Sequence, residues 1–283
     1  MNSRGARRQT VRRGRARAPI ALLTDFGYRD HYVGVMKGVI ASIAPAAPII
    51  DITHGVPAQS VTAGAIALRA AASFFPPRTV FLAVVDPGVG TSRRAVAVET
   101  RDGARWVGPD NGLLSLAVEC AGFARAVEIT SQRHRFAIVS ATFHGRDIFA
   151  PAAAHLWRGA PLRELGPSIA RIQSLKLPAP SSRGREVRGE VLYVDGFGNL
   201  VSNIGSESIA RLRSRFAAKK LSVRIGRSAP IMLRPAYADA PRSAPLAIVG
   251  SLDLVEVAVR DGRADARFAA GPGTQLVLSA GGK

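Results

Sequence analysis

A single cysteine, Cys120, stands in 283 residues, which excludes an internal disulfide and any multi-cysteine metal site and fits a reducing compartment. Acids are scarce, 20 against 39 lysines and arginines, and the net charge is +19. Aromatic residues make up only 6% and are not interleaved with the arginines as a base-stacking surface would require. No uninterrupted apolar run is long enough to cross a membrane, and the N-terminus has arginines without the apolar core of a signal peptide. P-loop and G-x-G-x-x-G signatures are both missing, which argues against nucleoside triphosphate or nicotinamide as a ligand. There is no helix-spaced histidine pair, so no metal site is expected. The chain therefore reads as a cytoplasmic protein with no metal, no cofactor and no membrane contact.

The excess charge is concentrated at one end. Residues 1–18 hold Arg4, Arg7, Arg8, Arg12, Arg13, Arg15 and Arg17 and no acid, and are read as a disordered, solvated tail. Such a tail binds phosphate backbones non-specifically, the only nucleic-acid contact expected, and a transit peptide is the other reading of it.

What is present is an alternation of strand and helix. Residues 20–23 and 49–52 read as strands, 80–85 as a strand buried on both faces, and 31–43 and 61–75 as helices closed by Pro45 and by Pro76-Pro77. This pattern predicts a mostly parallel sheet covered on both sides. Residues 95–98 and 105–107 read as a hairpin turned at Asp102-Gly103. Asp110 or Asn111 is expected to cap a helix over 113–119, and a polar island at 141–147 precedes a helix over 148–157. Residues 175–185 are rich in proline and serine and read as a linker. Beyond them, short β-branched segments interrupted by turns predict an all-β, barrel-like unit with one helix at 206–216. The fold class is thus α/β: an N-terminal α/β domain (19–174), a linker (175–185) and a C-terminal β-barrel domain (186–283).

Two strands end on a carboxylate followed by glycine, at Thr24-Asp25-Phe26-Gly27 and at Val85-Asp86-Pro87-Gly88-Val89-Gly90-Thr91. Ligands of such sheets bind beyond the carboxyl ends of the strands. On spacing alone Asp86 and Arg93 make a strand-end turn with an ion pair. With Asp51-Ile52-Thr53-His54, Pro109-Asp110-Asn111-Gly112, Thr142-Phe143-His144-Gly145-Arg146-Asp147 and Phe197-Gly198-Asn199, the set closely resembles the S-adenosyl-L-methionine hydrolase (adenosine-forming) family. The resemblance runs from about residue 20 onward and thins after Asn203. It implies hydrolysis of S-adenosylmethionine to adenosine and methionine by a homotrimer with sites between subunits. It also implies roles: Asp86, Arg93 and His144 in water activation; Asp25 on the ribose diol; Asp30, Asn199 and Ser251 on the methionine portion; Asp195 and Phe197 lining the ligand.

Two alternatives are a halogenase of the same fold and a non-catalytic adenosine-compound binding protein. The related fluorinases are similar in pattern but have tyrosines at the positions of Asp86 and His144 and a halide-holding serine at that of Gly145. None of these replacements occurs here. The chain departs from the hydrolase pattern at Gly250-Ser251-Leu252-Asp253, where the family usually has a glycine near position 253. Attack on the 5′ carbon of a sulfonium expels a neutral thioether, so the burden falls on orienting and activating water. A guanidinium cannot act as base, so Arg93 is assigned to stabilising incipient hydroxide, and either His144 or Asp86 accepts the proton. The other histidines, His31, His54, His134 and His155, are read as structural or exposed.

Overall fold

The computed structural model describes residues 18–218 and 220–281, so most of the arginine-rich tail lies outside the described residues. The described chain packs as two compact units. One holds the residues up to Gln59 together with Ala71–Gln173, and the other holds Ser60–Ala70 with the chain from Ser174 onward.

The first unit is built on a seven-stranded sheet. Strands β1 (Ile20–Thr24), β2 (Ile49–Thr53), β3 (Val80–Val84) and β5 (Arg105–Pro109) run parallel, in the order β2-β1-β3-β5. β4 (Ala95–Thr100), β6 (Phe123–Glu128) and β7 (Ser168–Ile169) extend it with antiparallel pairings. β1 and β3 are buried along their whole length, as unbroken apolar runs in a parallel sheet require. Helix α1 (Tyr32–Ile43) buries Val33, Met36 and Ile40, and α4 (Ala150–Arg158) buries its alanine-rich face and Leu156 in the same core. The chain leaves β1 for β2 on one side and returns to β3 on the other. The carboxyl ends of β1 and β3 therefore flank a point where strand order reverses, the usual place for a ligand in an open α/β sheet.

Helix α2 (Val61–Ala72) groups largely with the second unit, not with the α/β unit that alternation alone suggests. The rest of that unit is an eight-stranded antiparallel sheet: β12 (Ile231–Met232), β11 (Leu221–Ile225), β15 (Gln275–Ala280), β9 (Glu186–Val194), β10 (Leu200–Gly205), β14 (Leu254–Val259) and β13 (Pro245–Val249), with β8 (Ser181–Arg183) paired to β9. A bridge between Leu233 and Ala247 links its two ends, so the sheet is nearly closed. Val187, Val191, Leu200, Val223, Val255, Val257 and Leu276 fill its interior, and α5 (Ser206–Phe216) adds Ile209 and Leu212.

Several elements differ from the sequence reading. Strands β6, β7 and β8 and the short helix α6 (Ala264–Phe268) carry no clear periodic signal, and β8 lies within the expected linker. The helix expected at 148–157 begins earlier, with a wide π-helical turn over Gly145–Phe149 that runs into α4. Neither Asp110 nor Asn111 caps the following helix, α3 (Ser115–Ala121), which has no side-chain cap.

Candidate active site

Asp86 follows β3 by two residues, and the chain then makes two tight turns, Val89 N–H to Asp86 O and Thr91 N–H to Gly88 O. These bring Arg93 back onto the carboxylate. Arg93 Nε lies 2.9 Å from both Asp86 oxygens and Nη2 lies 2.5 Å from Oδ2, a forked pair whose side chains are 10% and 5% exposed. The same Nη2 is 2.6 Å from His144 Nδ1, and the guanidinium also stands over the Phe149 ring. Arg93 thus bridges carboxylate and imidazole.

His144 arrives from a loop packed backbone to backbone against the Asp86 turn. Gly90 has φ +78°, and a β-carbon there would fall 2.4 Å from the Ala141 carbonyl oxygen. Only glycine combines that left-handed backbone with that approach. The loop is anchored by Asp147, fully buried, which accepts hydrogen bonds from Ser140 N–H and from the Arg146 guanidinium. Burial opposes its ionisation, but these donors outweigh it and lower its pKa. Asn111 steadies the other side by donating from Nδ2 to Val85 O (2.9 Å) while its Oδ1 accepts Leu113 N–H. Asp110 is also structural: it is buried, pairs with Arg94 and accepts Gln173 N–H.

A guanidinium only donates, so His144 Nδ1 must be the bare nitrogen and Nε2 carries the proton. Burial lowers the His144 pKa, and the Arg93 charge lowers it further. The neutral ring therefore presents an N–H donor, whereas Asp86 retains lone pairs beyond those Arg93 occupies.

Asp25 follows β1 directly, and its Oδ2 accepts Gln59 N–H at 2.8 Å. Phe26, Tyr32 and Phe143 form a ring cluster, with centroids 5.0 to 6.1 Å apart, that ties the Asp25 loop and the start of α1 to the His144 loop. This trio was not singled out in the sequence. Asp30 is exposed just before α1. The structure thus gathers Asp86, Arg93 and His144 into contact and sets Asp25 at the neighbouring strand end.

In the second unit Asp195 organises its own turn: Oδ1 accepts Phe197 and Asn199 N–H, and Oδ2 accepts Asn199 Nδ2. Asn199 is buried, while the Phe197 ring is 80% exposed at the turn tip. Ser251 is exposed in the turn between β13 and β14. Asp253 in that turn has φ +63°, a left-handed backbone that favours glycine. Asp253 keeps the conformation and is held by Ser206, whose hydroxyl donates to its Oδ2 at 2.7 Å. The sequence reading missed Glu256. It is 7% exposed, and burial together with the Asp195 charge pushes its pKa up to about 7. Its only sequence signal is a lone acid in the apolar strand β14.

A cavity of about 920 Å³ lies at the opposite edge of the first sheet, where Val80 and Arg105 begin their strands. It is lined by Arg78, Arg125 and Trp157 and contains none of these site residues. Among the described residues no group of three or more metal-ligating side chains is assembled.

Residues 20–166 match the SAM hydroxide adenosyltransferase N-terminal domain and residues 189–277 the SAM hydroxide adenosyltransferase C-terminal domain. The chain belongs to this family. Among its relatives is the (R)-S-adenosyl-L-methionine hydrolase of Salinispora arenicola, 41% identical over 265 residues that cover 93% of this chain and 98% of that protein. A fluorinase of Nocardia brasiliensis is 29% identical over 82% of this chain and 86% of its own length. The crystal structure of an uncharacterized conserved protein from Thermotoga maritima superposes with a TM-score of 0.84 at 40% identity, covering 92% of this chain and 99% of that one.

Proposed function

We infer that the protein hydrolyses (R)-S-adenosyl-L-methionine to adenosine and L-methionine. The observation that carries this reading is Arg93 bridging Asp86 and His144 at the carboxyl edge of the sheet. A water oxygen forms a bond to the 5′ carbon as the carbon–sulfur bond breaks, and that electron pair goes to sulfur, which leaves as the neutral thioether of methionine. The water's proton passes to Asp86, the member of the trio with free acceptor capacity. Arg93 offsets the negative charge that develops on the oxygen, and His144, accepting from Arg93, holds the guanidinium in place for it. No metal or cofactor is required, because the leaving group needs neither protonation nor a Lewis acid.

Asp25 is assigned to the ribose diol, Asp30, Asn199 and Ser251 to the methionine portion, and Asp195 and Phe197 to lining the ligand. We assign the working protein as a homotrimer whose sites lie between subunits, and its location as the cytoplasm. No helix among the described residues is long and apolar enough to cross a membrane. Halogenation is disfavoured by Gly145: a β-carbon there would lie 3.1 Å from Met36 Sδ and 3.2 Å from the Phe143 ring, so a serine would crowd both. The test is to incubate purified protein with S-adenosylmethionine and follow products by chromatography, with chloride or fluoride in parallel samples. Adenosine and methionine are expected in every sample. A 5′-halogenated adenosine as the main product would sink the hydrolase reading.

A further inference from the structure

The segment Asp51-Ile52-Thr53-His54 has no part in the reaction so far, yet His54 bonds residues on both sides of Asp25, Thr24 and Gly27. His54 is 1% exposed, so of the two readings, structural or exposed, the structural one holds. Its Nδ1 lies 2.7 Å from Thr24 Oγ1 and its Nε2 lies 3.2 Å from Asp51 Oδ1, an ion-pair distance without aligned hydrogen-bond geometry. Neither of those facing atoms has another partner. Asp51 Oδ2 accepts from Lys37 Nζ and from the Tyr28 hydroxyl, both at 2.7 Å. Burial opposes ionisation of Asp51, but these donors prevail and bring its pKa down to about 2.

A bare nitrogen would repel a carboxylate oxygen at 3.2 Å, so the proton of neutral His54 sits on Nε2 and Nδ1 is the acceptor. Thr24 then donates its hydroxyl proton to His54, and its oxygen lone pair accepts Phe26 N–H at 3.2 Å. The His54 carbonyl accepts Gly27 N–H at 2.7 Å. The His54 ring thus holds Thr24, which in turn holds Phe26, while the His54 backbone carbonyl holds Gly27. The chain that continues from it supplies the Gln59 N–H that holds Asp25 itself.

We propose that His54 is a positioning residue for the reaction: acting through Thr24, it sets the loop that presents the Asp25 carboxylate to the ribose hydroxyls of the substrate. This rests on the assignment of Asp25 to the ribose diol. Thr24→Val removes the relayed hydroxyl at nearly constant shape, His54→Ala removes the ring acceptor while leaving the backbone bond to Gly27, and Thr24→Ser and His54→Asn return a hydroxyl and an acceptor.

The measurement is kcat and KM for S-adenosylmethionine and for its 2′- and 3′-deoxy analogues. In the unaltered protein, losing a ribose hydroxyl should raise KM about tenfold to a hundredfold. T24V and H54A should raise KM for the natural substrate by a similar factor with kcat within a few-fold. They should also lose most of their sensitivity to the missing hydroxyl, and T24S and H54N should recover it. A folding defect would lower active protein without erasing that sensitivity. T24V with undiminished discrimination against the deoxy analogues overturns the positioning role while leaving Asp25 in place. An unaltered protein indifferent to both deoxy analogues overturns the Asp25 assignment and the inference with it.

Discussion

Arg93 clasps Asp86 with its planar Nε–Nη2 fork while the same Nη2 reaches His144. Lysine keeps the charge but carries its donors on one nitrogen at the end of a flexible stem and cannot reproduce that fork. Arg93→Lys is expected to lower kcat about a hundredfold or more while KM changes little, as for groups acting mainly in the transition state. A large rise in KM with kcat retained would make Arg93 a pocket residue. Glu256 carries the opposite kind of consequence. Its folded-state pKa, pushed up to about 7, exceeds its unfolded value, so the native state holds a proton that the unfolded chain releases. The stability that Glu256 contributes is therefore fully present below about pH 4.5 and is lost as pH rises through about 7. Glu256→Gln should remove this dependence and raise the thermal midpoint at pH 8 in the absence of substrate. A variant less stable than the parent at pH 8 would show that the ionised carboxylate has a compensating partner.

The proposed catalytic trio depends on the packing of two loops more than on any regular element. Gly90→Ala adds a methyl 2.4 Å from the Ala141 carbonyl oxygen and strains a left-handed backbone, at a cost of about 1–3 kcal/mol. The His144 loop must move away from Arg93, so kcat should fall at least tenfold while circular dichroism is unchanged. Wild-type kcat in G90A would show that the loop contact does not set the site. Elements whose order comes from their own periodicity were legible in the sequence: β1, α1, β3, α5 and most barrel strands. Those made by their partners were not. β6 is a strand because β4 offers it an edge in the register Ala97 opposite Val127, and the fully exposed β8 gains order only by pairing with β9. Among site residues, Asp86, Arg93 and His144 were recognisable by motif, and their contact is now visible. The bond from Thr24 to His54 links positions thirty residues apart and leaves no local pattern.

Each unit has a core of its own, and the residues assigned to the substrate are divided between them: Asp25, Asp30 and the trio in one, Asp195, Asn199 and Ser251 in the other. The proposed trimer makes this division testable. Asp86→Ala and Asn199→Ala, each inactive alone, should recover activity when co-expressed as mixed trimers, since a site built from two chains can then hold both intact halves. Mixed trimers, verified by differential tagging, that stay as inactive as their parents would refute sites shared between subunits. The strand reversal at β1 and β3 also has a kinetic meaning. Ile20 pairs with Val80, and Val80 in turn with Arg105, so the edge that bears Asp25 and Asp86 exists only after a loop of about sixty residues has closed. Such long-range parallel pairing is slow compared with forming a helix. A chain refolding from denaturant should therefore regain α1 and α4 well before it regains hydrolysis, and until then the surfaces meant for β1 and β3 stand open to other chains.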